Sequence, residues 1–196
     1  MMVAIPELDG ATGSMVFGGR SELSAGEKFD MQPAPERIDR LADRVARLVG
    51  LRHTPIAERK VAIVLFNFPP NSGAAGTAAH LSVFESLFNT LSAMQDEGYH
   101  VDLPDSHAEL RDAILKGNAK QFGAEANVFQ RVPVDDHVRA EPWLAEIEAQ
   151  WGPAPGKEWT DGQHLFVLGE SFGNVLVGIQ PPMGYEGDPM RMLFEG

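Results

Sequence analysis

The stretch Gly173–Phe194, GNVLVGIQPPMGYEGDPMRMLF, decides how the rest of the chain is read. Its first half holds a short apolar run, Val175, Leu176, Val177 and Ile179, ended by Gln180, Pro181 and Pro182, and this predicts a strand inside a sheet. Its second half, Gly184-Tyr185-Glu186-Gly187-Asp188-Pro189, predicts a loop at that strand's carboxyl end. Open α/β sheets bind ligands in the crevice outside the carboxyl ends of their strands, so Glu186 and Asp188 fall where a substrate or metal would meet them. The same residues also suit a glycine-rich turn whose acids cap a following helix, because Asp before Pro is a common helix start. Both readings stand at this point.

A second strand precedes this one in sequence. Lys60–Phe66, KVAIVLF, has no interior charge, which predicts a strand of a parallel sheet with both faces covered. Asn67–Thr77, NFPPNSGAAGT, then reads as a loop, and Leu81, Phe84, Phe88 and Leu91 recur at helical spacing until Gly98 ends the helix. The loop lacks the GxxxxGKS/T spacing and has no lysine, so it is not a phosphate-cradling P-loop. Farther along, Tyr99–Leu103 predicts a short strand and Ser106–Lys116 a helix capped by Ser106 with Glu109 three residues on. Asn127–Val132 predicts a strand, and Leu165–Leu168 another. Val134–Trp151 predicts an amphipathic helix with Val138, Leu144 and Ile147 inward, broken or restarted at Pro142. Trp143, Trp151 and Trp159 are candidates to cover the sheet. Strands alternating with helices at these lengths predict an α/β fold, a Rossmann-like parallel sheet with flanking helices.

Towards the N-terminus the pattern weakens. Residues 1–34 carry little periodicity and several Gly and Pro, which predicts an arm or an incomplete preceding element, with the α/β module spanning 35–196. From Pro35, Ile38, Leu41, Val45, Leu48 and Val49 repeat at helical spacing to about Gly50, with Glu36–Arg40 and Asp43–Arg47 as supporting pairs. Interleaved acids make Arg37, Arg40, Arg44 and Arg47 a solvated face rather than a docking stripe.

Composition narrows the chemistry. With 196 residues the chain is long enough for one sizeable core, and 43% hydrophobic with 22% charged residues is the balance of an ordinary globular protein. A net charge of −12 without a basic stripe argues against nucleic acid as a partner. Without cysteine there is neither a disulfide framework nor a thiolate metal site, which leaves carboxylates and histidines as ligands and favours hard, oxygen-loving cations. The six histidines show no HxxxH or HExxH spacing, and Asp135-Asp136-His137 suits the dipole of a helix start as well as catalysis. No apolar run is long enough for a transmembrane segment and the opening residues lack a secretory pattern, so a cytoplasmic location is expected.

Several motifs together resemble one family. Pro6-Glu7-Leu8-Asp9-Gly10 with Val16-Phe17-Gly18-Gly19-Arg20, Asn67-Phe68-Pro69-Pro70-Asn71 with Gly76-Thr77-Ala78-Ala79, and Gly173-Asn174-Val175 through Phe194 are similar, in the same order, to the large porphyrin-binding H subunit of magnesium chelatase and its cobaltochelatase relatives. GYEGDPMRMLF resembles the magnesium enzyme, whereas the cobalt relative has the order GYGEDP. The resemblance implies ATP-dependent insertion of Mg²⁺, the substrate ion, into protoporphyrin IX on the way to chlorophyll or bacteriochlorophyll. It also implies that ATP is hydrolysed on separate AAA+ ATPase subunits and is not bound here.

The large subunits of this family are several times longer, so the chain reads as an internal fragment of a multidomain subunit, inactive alone and truncated before a downstream histidine- and glutamate-containing motif. Insertion removes two pyrrole protons and strips water from Mg²⁺, an ion that dehydrates reluctantly. Glu186 is therefore the candidate general base or transient Mg²⁺ ligand, and Asp188 a second catalytic acid that orients Arg191 or joins the ion's path. Asn67, Phe68, Asn71, Gln180, Tyr185 and Arg191 are the candidate substrate-binding residues. Two alternatives stay open: a cobaltochelatase large subunit inserting Co²⁺ into a corrinoid, or a non-catalytic binding module when isolated.

Overall fold

A computed structural model describes residues 2–20, 31–67 and 81–181. The chain divides into two compact units, Met1–Thr54 and Pro55–Gly196. The expected limits of 1–34 and 35–196 remain a proposal about folding units, and compactness groups the long N-terminal helix with the residues before it.

In the first unit, helix α1 (Ala4–Leu8) is followed by strand β1 (Gly18–Arg20), which pairs antiparallel with strand β2 (Met31–Pro33). Helix α2 (Pro35–His53) starts with proline at its first turn, where a missing N–H costs nothing, and continues past Gly50 until the Thr54-Pro55 pair stops it. Gly13 (φ +65°) leaves room for the Arg44 guanidinium, whose Nη1 donates to the Gly13 carbonyl at 2.7 Å. Arg44 is thus anchored rather than simply solvated. The apolar stripe of α2 has the expected spacing, but no residue of the helix is buried.

The second unit begins with strand β3 (Val61–Leu65) and helix α3 (Val83–Asp96), then helices α4 (His107–Leu115) and α5 (Ala119–Phe122). Strand β4 (Val128–Pro133), helices α6 (Val134–Ala140) and α7 (Leu144–Trp151), and strands β5 (His164–Phe172) and β6 (Val175–Ile179) complete it. The four strands form one sheet in the order β3-β6-β5-β4. The α/β class and the flanking helices stand, but the sheet is mixed: β3 and β6 are parallel, while β5 runs antiparallel to both β6 and β4. The reason is local. β5 and β6 are joined by Gly173-Asn174 alone, and a two-residue turn closes an antiparallel hairpin, never a parallel crossover. Gly173 takes φ +64°, and a side chain there would run into the His100 carbonyl that accepts from Asn174 N at 2.9 Å.

The core lies on one side of this sheet, where Leu91 of α3 and Leu110 and Ile114 of α4 meet Leu168, Val175 and Val177, all essentially without solvent contact. Along β3 burial alternates, and Val64 is 64% exposed, so the expectation that both faces of β3 are covered is corrected: one is. Tyr99–Leu103 is not a strand. Its backbone is engaged elsewhere, with the His100 carbonyl taken by the hairpin turn and that of Val101 by Gln95 Nε2. Ser106 caps α4 by accepting from Glu109 N, and Glu109 reaches back to Asp105 N. Gly98 (φ +90°) ends α3 as expected. Pro142 separates α6 from α7, but Val138 and Ile147 are exposed rather than inward. Of the tryptophans only Trp159 packs against the core, and Trp143 and Trp151 are exposed.

Candidate functional site

Because β3 and β6 are parallel neighbours, their carboxyl ends lie at the same edge of the sheet. Leu65 is in register with Ile179, and Gln180 N donates to the Leu65 carbonyl at 2.9 Å. The two sequence motifs, 113 residues apart at Asn67 and Gln180, therefore leave the sheet side by side. In open α/β sheets, ligands bind outside the carboxyl ends of such strands.

Asn67 and Gln180 are the two candidate residues that fall among those described. Gln180 is half-buried. Asn67 continues the buried side of β3 two residues beyond Leu65 and is only 3% exposed, yet its Oδ1 has no hydrogen-bond partner. A buried acceptor left unmade costs about 1–3 kcal/mol, so the fold carries a polar group here that its own packing does not use. Phe68, Asn71, Tyr185, Glu186, Asp188 and Arg191 lie outside the described residues.

Sequence reading missed a second polar centre on the far side of the sheet. Asn127, 6% exposed, accepts from Asn118 N at 2.9 Å and donates to the Gly169 carbonyl at 2.7 Å and to Glu170 Oε2 at 2.9 Å. Asn118 in turn accepts from Val128 N at 2.7 Å and donates to the Val128 carbonyl at 3.0 Å. Gly117 (φ +29°) adjoins it, and a side chain there would collide with Asn127. Every amide atom in this network is used, which marks it as scaffold that ties α5 to β4 and β5. The available signal was the Gly117-Asn118 pair, a turn dipeptide between two apolar segments.

A third cluster locks the end of the β4–β5 pair. Arg131 Nη2 donates to Asp161 Oδ2 at 2.6 Å and lies 2.8 Å from His164 Nδ1, while Asp161 Oδ1 accepts from His164 N at 2.7 Å. Burial pushes the Asp161 carboxyl up, but hydrogen bonds from Gln163 N, Arg131 and His164 outweigh it and hold the group well below the usual carboxylate range. Glu125 is shifted the other way, raised by burial and by the neighbouring charge of Glu158. Asp135 and Asp136 occupy the first turn of α6, where Asp136 pairs with Arg139 at 3.1 Å. Among the described residues no group of three or more His, Asp or Glu side chains lies together as a metal-ligand set. None of their helices is long and apolar enough to cross a membrane.

Fold and edge together define an α/β module in which Asn67 and Gln180 follow neighbouring parallel strands at one edge of the sheet. The family model CobN/Magnesium Chelatase matches residues 1–196, and the chain belongs to that family. It is 52% identical to the magnesium-chelatase H subunit of Cereibacter sphaeroides over all of this chain and 18% of that protein. It is 38% identical to the chloroplastic magnesium-chelatase subunit ChlH of Oryza sativa subsp. indica, covering 99% of this chain and 14% of the relative. The aerobic cobaltochelatase subunit CobN of Pseudomonas aeruginosa is 35% identical, over 96% and 16% of the two chains. The catalytic subunit of cobaltochelatase from Mycobacterium tuberculosis superposes with a TM-score of 0.72 at 28% identity, covering 97% of this chain and 16% of that one. The chain therefore spans less than a fifth of the length of the relatives it matches.

Proposed function

We propose that the protein is part of the porphyrin-binding H subunit of a magnesium chelatase, which inserts Mg²⁺ into protoporphyrin IX in chlorophyll or bacteriochlorophyll synthesis. The observation that carries this reading is the parallel pairing of β3 with β6, which brings Asn67 and Gln180 to one sheet edge in a chain of the CobN/magnesium chelatase family. The higher identity to the magnesium-chelatase relative than to CobN supports magnesium over cobalt as the inserted ion.

In this reading the tetrapyrrole lies across the carboxyl edge. Asn67, Phe68, Asn71, Gln180, Tyr185 and Arg191 bind and orient it. Glu186 takes a pyrrole proton or transiently holds Mg²⁺, and Asp188 positions Arg191 or extends the ion's path. Both ring protons leave as the ion enters, so a carboxylate beside the inner nitrogens lowers the barrier for either half of the exchange. ATP is hydrolysed on separate AAA+ subunits, the complex works in the cytoplasm, and this chain, which spans less than a fifth of its relatives, is inactive alone.

Glu186→Gln in the complete subunit tests the assignment. It leaves deuteroporphyrin affinity within about twofold and lowers the chelation rate by about 10²-fold or more, the range for loss of a general base. Full activity in that variant removes Glu186 from the mechanism. The resemblance to cobaltochelatase supports one alternative, Co²⁺ insertion into a corrinoid. Tighter binding of hydrogenobyrinic acid diamide than of protoporphyrin IX by the complete subunit selects it.

A further inference from the structure

Among the described residues of the second unit two asparagines are buried, and they differ in their partners. Asn127 has a partner for each amide atom it buries, whereas the Oδ1 of Asn67, sealed from solvent, has none. Asn67 also stands at a particular place. It continues the buried side of β3 past the strand's carboxyl end, beside the strand whose Gln180 N is bonded to the Leu65 carbonyl, and so it sits at the edge of the sheet where the proposed ligand lies. Isolated acceptors of this kind are rare in folded proteins, and each calls for a donor that the fold itself does not supply.

We infer that the Asn67 side-chain oxygen is the acceptor for an inner N–H of the free-base tetrapyrrole, and that it distinguishes substrate from metallated product. This deepens the proposed function and rests on it. An amide oxygen is suited to the task because it accepts a hydrogen bond without taking the proton, which leaves deprotonation to a carboxylate. Free-base porphyrin carries two inner N–H groups. Insertion of a divalent ion replaces both protons, so the product has no donor to offer and Asn67 is left unmade again. A binding site that rejects an analogue lacking one expected hydrogen bond does so because its own polar group is stranded. The consequence is weaker retention of product than of substrate at the same edge.

The test compares free-base deuteroporphyrin with zinc deuteroporphyrin, which lacks the inner N–H groups, by fluorescence quenching of the complete subunit. Wild type prefers the free base. Asn67→Leu, close in volume and unable to accept, weakens free-base binding about tenfold, leaves zinc deuteroporphyrin within about twofold, and so abolishes the preference. Asn67→Ser, which keeps a short acceptor, retains part of it. Melting of the complete subunit is not lowered as by a core truncation in Asn67→Leu, because Oδ1 has no hydrogen bond to lose. Equal weakening of both ligands, no weakening of either, or a melting temperature lowered as by a core truncation overturns the inference while leaving the proposed function in place. A wild-type subunit that binds neither porphyrin overturns the proposed function, and this inference with it.

Discussion

Asn127 and Asn67 are both buried beside the same sheet, and they differ in whether the side-chain oxygen has a donor. Around Asn127 the chain has arranged Asn118, Gly169 and Glu170 so that each polar atom is answered, and Gly117 gives up its side chain to make the space. The Oδ1 of Asn67 has no such partner. A network that is fully satisfied rigidifies a fold, and a lone unsatisfied group weakens it, so the second arrangement persists only where something other than stability is served. The β4–β5 side therefore carries the satisfied network, and under the proposed function the β3–β6 side carries the site.

Substitutions sharpen that contrast, the largest effect first. Asn127→Leu removes the hub of the satisfied network and strands Asn118 N–H and the Gly169 carbonyl in the interior, so unfolding free energy in urea falls by about 3 kcal/mol or more. Asn67→Leu removes an acceptor that has no partner and changes the same quantity by about 1 kcal/mol or less. Equal losses in the two variants would erase the distinction between the two sides.

A smaller effect separates the ends by pH. The Asp161 carboxyl is depressed in the folded chain, so its contribution is fully present above the ordinary carboxylate value and is lost as pH falls towards the folded one. Asp161→Asn accordingly shows a shallower loss of stability than wild type below about pH 4 and a lower stability at neutral pH, measured by melting across that range. An unchanged acid limb would mean that the Arg131–Asp161–His164 lock contributes nothing to folding.

How much of this could be read from residues alone follows from what kind of signal each feature leaves. The strands at Val61–Leu65 and Val175–Ile179, the cap at Ser106 and the break at Pro142 are written in local chemistry, and they were legible. The mixed sheet was legible in principle through Gly173-Asn174, whose two-residue length forbids a crossover, but alternating strands and helices outweighed it in the sequence reading. Coverage of a strand was not legible. An uncharged run such as VAIVL reads as buried on both faces, although here Val64 is exposed and Leu65 is not. The apolar spacing of α6 with α7 predicted helices correctly and the burial of Val138 and Ile147 incorrectly, because periodicity states which side is apolar and not what covers it. At the candidate site, Asn67 and Gln180 could be named from their place after the strands. That one would be stranded and the other bonded through its backbone to Leu65 depends on register, which only the folded sheet supplies.

The central claim is that the tetrapyrrole is held at the shared carboxyl edge of β3 and β6. Amide hydrogen exchange of the complete subunit, with and without deuteroporphyrin, tests it most directly. The account predicts slowed exchange on ligand addition at Leu65–Asn67 and Ile179–Gln180, with Arg131–Val132 and Asp161–His164 unchanged. Slowing confined to the β4–β5 end, with the β3–β6 edge unaffected, would contradict it.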